Sequence, residues 1–380
     1  MGIKAASLDG GNDSLKGFIG GLSEEHRVYI PNVVKRMDSR SMLSDDNDPI
    51  EELHVRITSS ALKESATYAV GNLAAKEVNN DVVSNRIKKG DSEQTIILLL
   101  TALALDAAKN SDKEVINVTY ILSTGLPLDE VKDDENARAN FKKKLMESMH
   151  EVKFEQTPGG LKGKIVRIQF EDVIVSIEGY AAMINLTMDD SFKKKNQNLL
   201  TKNLLINDIG GNTRDKAIIR NGKIDNESSE GDIAGIGRYL DLINKDLDRE
   251  YRKTIFKSRR QLVENIVREK DPYIIKPDGK PVSIKSTVDK HLNTFAQLQY
   301  NDIINTWDNV GDIDEIYNVG GSAALIREQL EILNTEGKGY VMHFLDADES
   351  IWSIAKAYFK ILYIVAKKRG IELTIEKVGV

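Results

Sequence analysis

Asp9-Gly10-Gly11-Asn12-Asp13-Ser14 returns in the second half of the chain as Asp208-Ile209-Gly210-Gly211-Asn212-Thr213, both fitting Asp-x-Gly-x-Asn/Asp-Ser/Thr. Each copy follows a short apolar run, Ile3-Lys4-Ala5-Ala6-Ser7-Leu8 or Leu204-Leu205-Ile206-Asn207, and precedes another extended run. The pattern reads as two strand-turn-strand hairpins with a carboxylate at the end of each first strand. Glycines there let backbone N–H groups approach a polyphosphate, and the carboxylates can hold a hydrated Mg²⁺. One such turn is weak evidence, because Gly, Asn and Asp fill turns for conformational reasons alone. Two in matched contexts point to phosphate binding.

Working outward, each half repeats the same plan. In the first, residues 3–8, 14–19 and 28–30 read as a three-stranded meander closed by Pro31, which cannot donate to a ladder. A polar stretch from about 35 to 75 carries alternating runs at 54–59 and 67–70 and reads as a small inserted subdomain. A core helix over 93–109, a strand over 114–123, a turn at Gly125-Leu126-Pro127 and a charged helix over 134–150 follow. Residues 164–170 and 173–177 read as two short strands joined by Glu171-Asp172, with a helix starting just after Glu178.

The second half opens with a strand over 203–209, the second glycine turn, a strand over 216–220 and the two-residue hairpin signal Asn221-Gly222. Three helical stretches between about 233 and 307, with a hairpin at 273–283 around Pro277-Asp278-Gly279, form a second insertion. A strand over 315–319, Gly320-Gly321-Ser322 and a helix over 323–334 make a strand-turn-helix suited to a nucleoside contact. Gly235-Ile236-Gly237 is a weaker ribose-side candidate. An aromatic-rich helix over 350–368 closes the chain. The expected domains are lobe I over 1–200 with an insertion at about 35–75, lobe II over 201–349 with an insertion at about 224–307, and a closing helix and tail over 350–380 returning to lobe I.

Composition narrows the function. A chain of 380 residues, 41% hydrophobic and 29% charged, suits two globular lobes. The absence of cysteine excludes disulfides, thiolate metal sites and cysteine nucleophiles, and is compatible with a cytoplasmic location. A net charge of −6 disfavours direct contact with nucleic acid. Met1 leads into a strand without a basic and apolar leader, so no signal peptide is expected. The apolar run from Ile96 to Leu105 meets Asp106 well short of the roughly 20 residues needed to cross a bilayer, so it reads as a buried core helix and no membrane partner is expected. The five histidines show no metal-ligand spacing, and no serine sits in a nucleophile elbow.

For chemistry, Glu178 is the favoured residue: at a strand-to-helix junction its carboxylate can orient or deprotonate a water attacking a γ-phosphate. It would be equally ordinary as an acid at a helix N-terminus. Asp9 and Asp208 are the other catalytic candidates and the metal-binding ones, acting through water. Gly11, Asn12, Asp13, Ser14 and Lys16 from the first hairpin, Gly210, Gly211, Asn212 and Thr213 from the second, and Gly320, Gly321 and Ser322 are the nucleotide-binding candidates. Lys16 could equally be a solvated hairpin lysine.

The order of phosphate hairpin, connecting helix, second hairpin, glycine turn and closing helix resembles the actin, heat-shock chaperone and sugar kinase superfamily. Within it the chain is most similar to bacterial plasmid-segregation actins of the ParM (StbA) type. Leu8-Asp9-Gly10-Gly11-Asn12-Asp13-Ser14-Leu15-Lys16, Ile30-Pro31-Asn32-Val33-Val34-Lys35-Arg36, Leu126-Pro127-Leu128 with Asn140-Phe141-Lys142-Lys143-Lys144, Val173-Ile174-Val175-Ser176-Ile177-Glu178 and Asp208-Ile209-Gly210-Gly211-Asn212-Thr213-Arg214-Asp215 carry the likeness.

The resemblance implies an α/β fold of two actin-like, ribonuclease H-like lobes with mixed sheets and flanking helices, a nucleotide cleft between them and a smaller insertion in each lobe. It implies ATP with Mg, GTP being left open, and Glu178 as the residue that positions the hydrolytic water. It implies a homopolymeric filament in the cytoplasm that drives plasmid DNA segregation through a DNA-binding adaptor on a centromere-like site. Two departures stand out: Lys356, in Ile354-Ala355-Lys356-Ala357, replaces a small residue of the closing helix, and Gly10 replaces an often acidic position. A small-molecule kinase of the same superfamily and a non-hydrolysing nucleotide-bound scaffold are the alternatives.

Overall fold

The protein is described from a computed structural model, which covers every residue except 1, 43, 77–87, 148, 270 and 376–380. The chain divides into two compact units, residues 1–198 with 352–380 and residues 199–351. The tail beyond 375, part of the closing segment expected over 350–380, lies outside the described residues.

In unit 1, strands β1 (Ile3–Gly10), β2 (Ser14–Ile19) and β3 (Arg27–Pro31) form the expected meander. The stretch read as an insertion supplies β4 (Val34–Arg36), β5 (Leu53–Thr58), β6 (Ala66–Val70) and helix α1 (Asn72–Lys76). Helix α2 (Glu93–Lys109), capped by Ser92, leads into β7 (Val115–Leu126), then α3 (Leu128–Asp133), α4 (Ala137–Met146), β8 (His150–Phe154), β9 (Ile165–Ile177) and α5 (Tyr180–Thr187). The strand order is β3-β2-β1-β7-β9-β8-β5-β6-β4, so the strands of the insertion continue the main sheet through β8.

Unit 2 repeats the core with β10 (Leu204–Ile209), β11 (Arg214–Arg220) and β12 (Lys223–Ile224), followed by β13 (Glu230–Asp232). Asn221 and Gly222 both take positive φ, 50° and 70°, between the paired Arg220 and Lys223, as an Asn-Gly hairpin requires. Helices α6 (Gly237–Tyr251) and α7 (Arg259–Arg268), the hairpin β14 (Tyr273–Ile275) and β15 (Pro281–Ser283), and α8 (Lys285–Val310) follow. Then come β16 (Glu315–Val319), α9 (Gly321–Leu325), α10 (Arg327–Glu336) and β17 (Met342–Phe344). The sheet order is β12-β11-β10-β16-β17, with β10, β16 and β17 parallel. Helix α11 (Ala347–Arg369) and β18 (Leu373–Thr374), which pairs with β1, end the described chain.

Alternation along the strands explains how unit 1 packs. On β1, Ala6 and Leu8 face the cluster containing α2, whose buried run includes Ile96, Leu99, Leu100 and Leu103. Ala5 points the other way, joining Phe18, Ile121, Trp352, Phe359 and Leu362 against α11. This central sheet carries apolar clusters on both faces. No helix among the described residues is long and apolar enough to cross a membrane.

Four local expectations are corrected. The charged helix read over 134–150 is one shorter helix, α4, and its last residue opens β8, because His150 pairs with Ile168 and its ring is buried between Ser59 Oγ and the Leu145 carbonyl. The two strands read over 164–177 are one, β9. Its ladder with β7 shifts register at Tyr120/Ile121, where Phe170 and Asp172 are the successive partners and Glu171 is the extra residue of a bulge. Gly125 and Leu126, read as a turn, extend β7 opposite Ser176 and Ile177. The helix read over 323–334 is split into α9 and α10 at Ile326.

Candidate functional site

The first hairpin closes with Asp9 opposite Lys16 and Gly10 opposite Leu15; the second closes with Asp208 opposite Asp215 and Ile209 opposite Arg214. Both turns therefore span four residues after the last pair, 11–14 and 210–213. Each folds back so closely that a side chain at its glycine would crowd the backbone. A Cβ on Gly11 would stand 3.1 Å from the Ser14 carbonyl oxygen, and one on Gly210 would stand 3.0 Å from that of Thr213. The sequence repeat is a repeat of geometry.

In unit 1 the turn is anchored from behind. Asn32, just past β3, donates from its side-chain amide to the Gly11 carbonyl at 2.8 Å and from its backbone to the Asp13 carbonyl at 3.0 Å. Gln94, in the first turn of α2, donates to Asn32 Oδ1 and to its carbonyl. Neither residue belongs to the motif, but together they fix the loop to the helix behind it.

The acids of unit 1 converge on a lysine that sequence reasoning missed. Glu178 follows β9, its N–H donating to the Leu126 carbonyl at 3.0 Å, and Gly179 takes φ 62° before α5 begins. The Glu178 carboxylate forms an ion pair with Lys89, whose Nζ also lies 3.7 Å from Asp9 Oδ1. The side chains of Lys89, Asp9 and Glu178 are 10%, 15% and 14% exposed, so this is a nearly dehydrated charge cluster. Burial would lower the Lys89 pKa, but the charges of Glu178 and Asp9 outweigh it and hold the ammonium above the ordinary lysine value.

In unit 2 the predicted residues gather around the second turn. Asp208 pairs with Val319, placing Gly320 beside it at φ 86°. A Cβ on Gly320 would fall 2.5 Å from Asp208 Oδ1 and from the Ile209 carbonyl oxygen. Ser322 donates from Oγ to the Gly210 carbonyl at 2.8 Å. The weaker candidate, Gly235-Ile236-Gly237, is tied to the same turn by N–H donations to the carbonyls of Asn212, Gly210 and Gly211, at 3.0, 3.3 and 2.6 Å. A second missed residue, Arg259, donates to Asn212 Oδ1 at 3.0 Å while its guanidinium grips Asp241 at 2.7 and 2.6 Å. Gly237 leaves the space that guanidinium occupies, since a Cβ there would meet Arg259 Nη1 at 2.2 Å.

Among the described residues no three His, Asp or Glu side chains form a metal cage. Asp9 stands near the end of β1 in unit 1 and Asp208 near the end of β10 in unit 2. Lys16 lies on β2 between Asp9 and Tyr29 in the ladder. Lys356, the departure noted in the closing helix, has a definite role: it binds Asp190 at 2.7 Å beside the buried Lys360.

Comparison with known proteins adds the following. Residues 7–180 match the family described as the N-terminal domain of actin-like proteins, and residues 203–345 match the Alp7A C-terminal domain. No curated protein matches the chain in sequence. Among solved structures, ParM of Bacillus thuringiensis with ATP is 21% identical, covers 97% of this chain and 100% of its own, and superposes with a TM-score of 0.74. The same ParM with AMPPNP is 22% identical, with coverage of 96% and 99% and a TM-score of 0.72. The actin-like protein Alp7A is 18% identical, with coverage of 97% and 98% and a TM-score of 0.80.

Proposed function

Because the chain belongs to the actin-like proteins, we propose that it binds ATP through its two glycine hairpins, assembles into filaments and hydrolyses the nucleotide after assembly. The observation that carries this reading is the repeated turn: one in each unit, equal in length, with a carboxylate at the strand end and a glycine at which a Cβ would crowd the backbone. Open backbone of this kind is what a polyphosphate needs for close approach. The choice of ATP rests on the solved ParM structures of the same fold, which hold ATP and AMPPNP.

Residues 11–14 and Lys16 would hold phosphate oxygens on the side of unit 1, and residues 210–213 on the side of unit 2. Gly320, Gly321 and Ser322, packed on the second turn, would face the nucleoside. Asp9 and Asp208 would hold Mg²⁺ through its waters; the metal supplies neutralisation of charge on the β- and γ-phosphates. Glu178 orients the attacking water and accepts its hydrogen bond. Loss of the γ-phosphate then weakens subunit contacts, so hydrolysis limits filament lifetime. In the cell the filament would act in the cytoplasm, moving plasmid DNA through a DNA-binding adaptor.

Sedimentation of the purified protein tests assembly. With ATP and Mg²⁺ the chain moves to the pellet above a critical concentration, and with ADP it stays in the supernatant. A chain that stays in the supernatant with both nucleotides at all concentrations is not a filament protein.

A further inference from the structure

The ion pair of Lys89 with Glu178 belongs to neither glycine motif, yet several unrelated contacts aim it. Lys89 sits one turn before α2, at a backbone position gripped by Glu130: its N–H donates to Glu130 Oε1, and the N–H of Gly90 donates to Oε2 at 3.0 Å. Glu130 is itself buried, on α3 at the end of β7. From the other side, Lys144 donates to the Gly90 carbonyl at 2.9 Å and pairs with Asp91 at 2.7 Å. One carboxylate spent on two consecutive N–H groups fixes the direction in which the Lys89 side chain leaves the backbone.

That side chain runs past the first hairpin. A Cβ on Gly10 would lie 3.4 Å from Lys89 Cε, so the glycine at this often acidic position places the lysine stem alongside β1. The ammonium ends between two carboxylates with different duties, Asp9 at the end of β1 and Glu178 at the end of β9. Dehydrating a cation costs several kcal/mol unless it is well paired. A largely covered lysine matched to two acids beside the first hairpin is therefore a placed charge rather than a stray surface lysine.

We propose that Lys89 is a positioning residue for hydrolysis, its ammonium held between Asp9 and Glu178 so that the Glu178 carboxylate keeps the orientation that receives the attacking water. The inference rests on the ATP-hydrolysing reading above. In the reaction the water oxygen bonds to the γ-phosphorus, and the bond from phosphorus to the β–γ bridging oxygen breaks with its electron pair going to ADP. The water proton leaves toward Glu178. Lys89 gives up no proton; it sets the plane of the acceptor by engaging Oε1. Removing the ammonium takes the cluster from one net negative charge to two, so the positioning role is read in turnover at saturating nucleotide, where a change in affinity drops out.

The experiment compares the wild type, Lys89→Met and Lys89→Arg, each checked by circular dichroism, for affinity toward a fluorescent ATP analogue and for phosphate release at saturating ATP with Mg²⁺. At saturating ATP the kcat of Lys89→Met should fall about 100-fold, the scale of a lost preorganised contact, whatever change its nucleotide affinity shows. Lys89→Arg, which keeps the charge, should fold normally and recover part of the rate. If wild type hydrolyses and Lys89→Met matches it, or loses rate only through a higher KM, the positioning role is wrong. A Lys89→Met chain with an undiminished rate at lower Mg²⁺ also overturns it, since the ammonium would then be standing in the metal's place. A wild type that releases no phosphate overturns the hydrolytic reading itself, and this inference with it.

Discussion

Glu178 and Lys89, separated by 89 positions in sequence, form a part-buried ion pair at the point where β9 ends and the chain approaches α2. The pair joins the acid expected to direct water to a cation that no local pattern reveals. With Asp9 it links β1, the end of β9 and the lead-in to α2.

Replacing Glu178 with Gln should remove the acceptor for water while preserving shape. Phosphate release should fall about 100- to 10,000-fold, and binding of a fluorescent ATP analogue should persist. Filaments formed by this variant should outlast those of the wild type after free ATP is consumed, which light scattering over time would record.

Gly320→Ala tests the second turn. Its φ of 86° disfavours any Cβ, and the added atom would meet Asp208 Oδ1 and the Ile209 carbonyl oxygen at 2.5 Å. The substitution should cost at least about 1–3 kcal/mol of stability and weaken nucleotide binding, measured by chemical denaturation and by titration with the analogue. Gly339→Ala is the control: its φ is also positive, but a Cβ there meets nothing within 4 Å. It should cost stability without touching binding.

Inside unit 2, Arg214 and Lys216 bury their charges against α8, sharing Asp302 at 2.9 and 2.5 Å. Arg214 also bonds Gln299 at 3.0 Å, and Lys216 bonds Thr306 at 2.9 Å. Asp302→Ala leaves Arg214 with Asp232 and Lys216 with Glu230 and should destabilise the protein by about 1.5–3 kcal/mol, the worth of hydrogen bonds to a charged group, read as a shift in the urea midpoint. A loss below about 1 kcal/mol, the worth of a surface ion pair, would show that Asp302 acts as one.

Asp225 carries a pH signature. Hydrogen bonds from Arg220, at 2.9 Å, and from Ser228 pull its pKa from the usual 3.8 to about 2. A carboxylate depressed in the folded state contributes stability that is complete above its unfolded pKa and is lost as the pH falls toward the folded value. The wild type should therefore lose stability between about pH 4 and pH 2 more steeply than Asp225→Asn. Parallel acid-denaturation curves in that window would contradict the assignment.

What the sequence made legible was whatever local chemistry dictates. Asp9 through Ser14 and Asp208 through Thr213 are turns written in Gly, Asn and Asp, and Asn221-Gly222 names its own hairpin. Partnership across the fold was not legible. His150 reads as the end of a charged helix until β5 and β9 claim its strand. Gly125-Leu126 reads as a turn until β9 supplies a ladder, and Glu171-Asp172 as a break until the bulge absorbs Glu171. Lys89 and Arg259 escaped for the same reason: each is an ordinary basic residue whose meaning comes from Glu178 and Asp9, or from Asn212 and Asp241, far away in the chain.

Light scattering and phosphate release, followed in one sample after ATP and Mg²⁺ are added to the purified protein, test the central claim most directly. Scattering should rise first, phosphate should appear as it rises, and scattering should decay when ATP is spent. Phosphate release with no rise in scattering at any protein concentration would contradict the account and leave a hydrolase or kinase that does not polymerise.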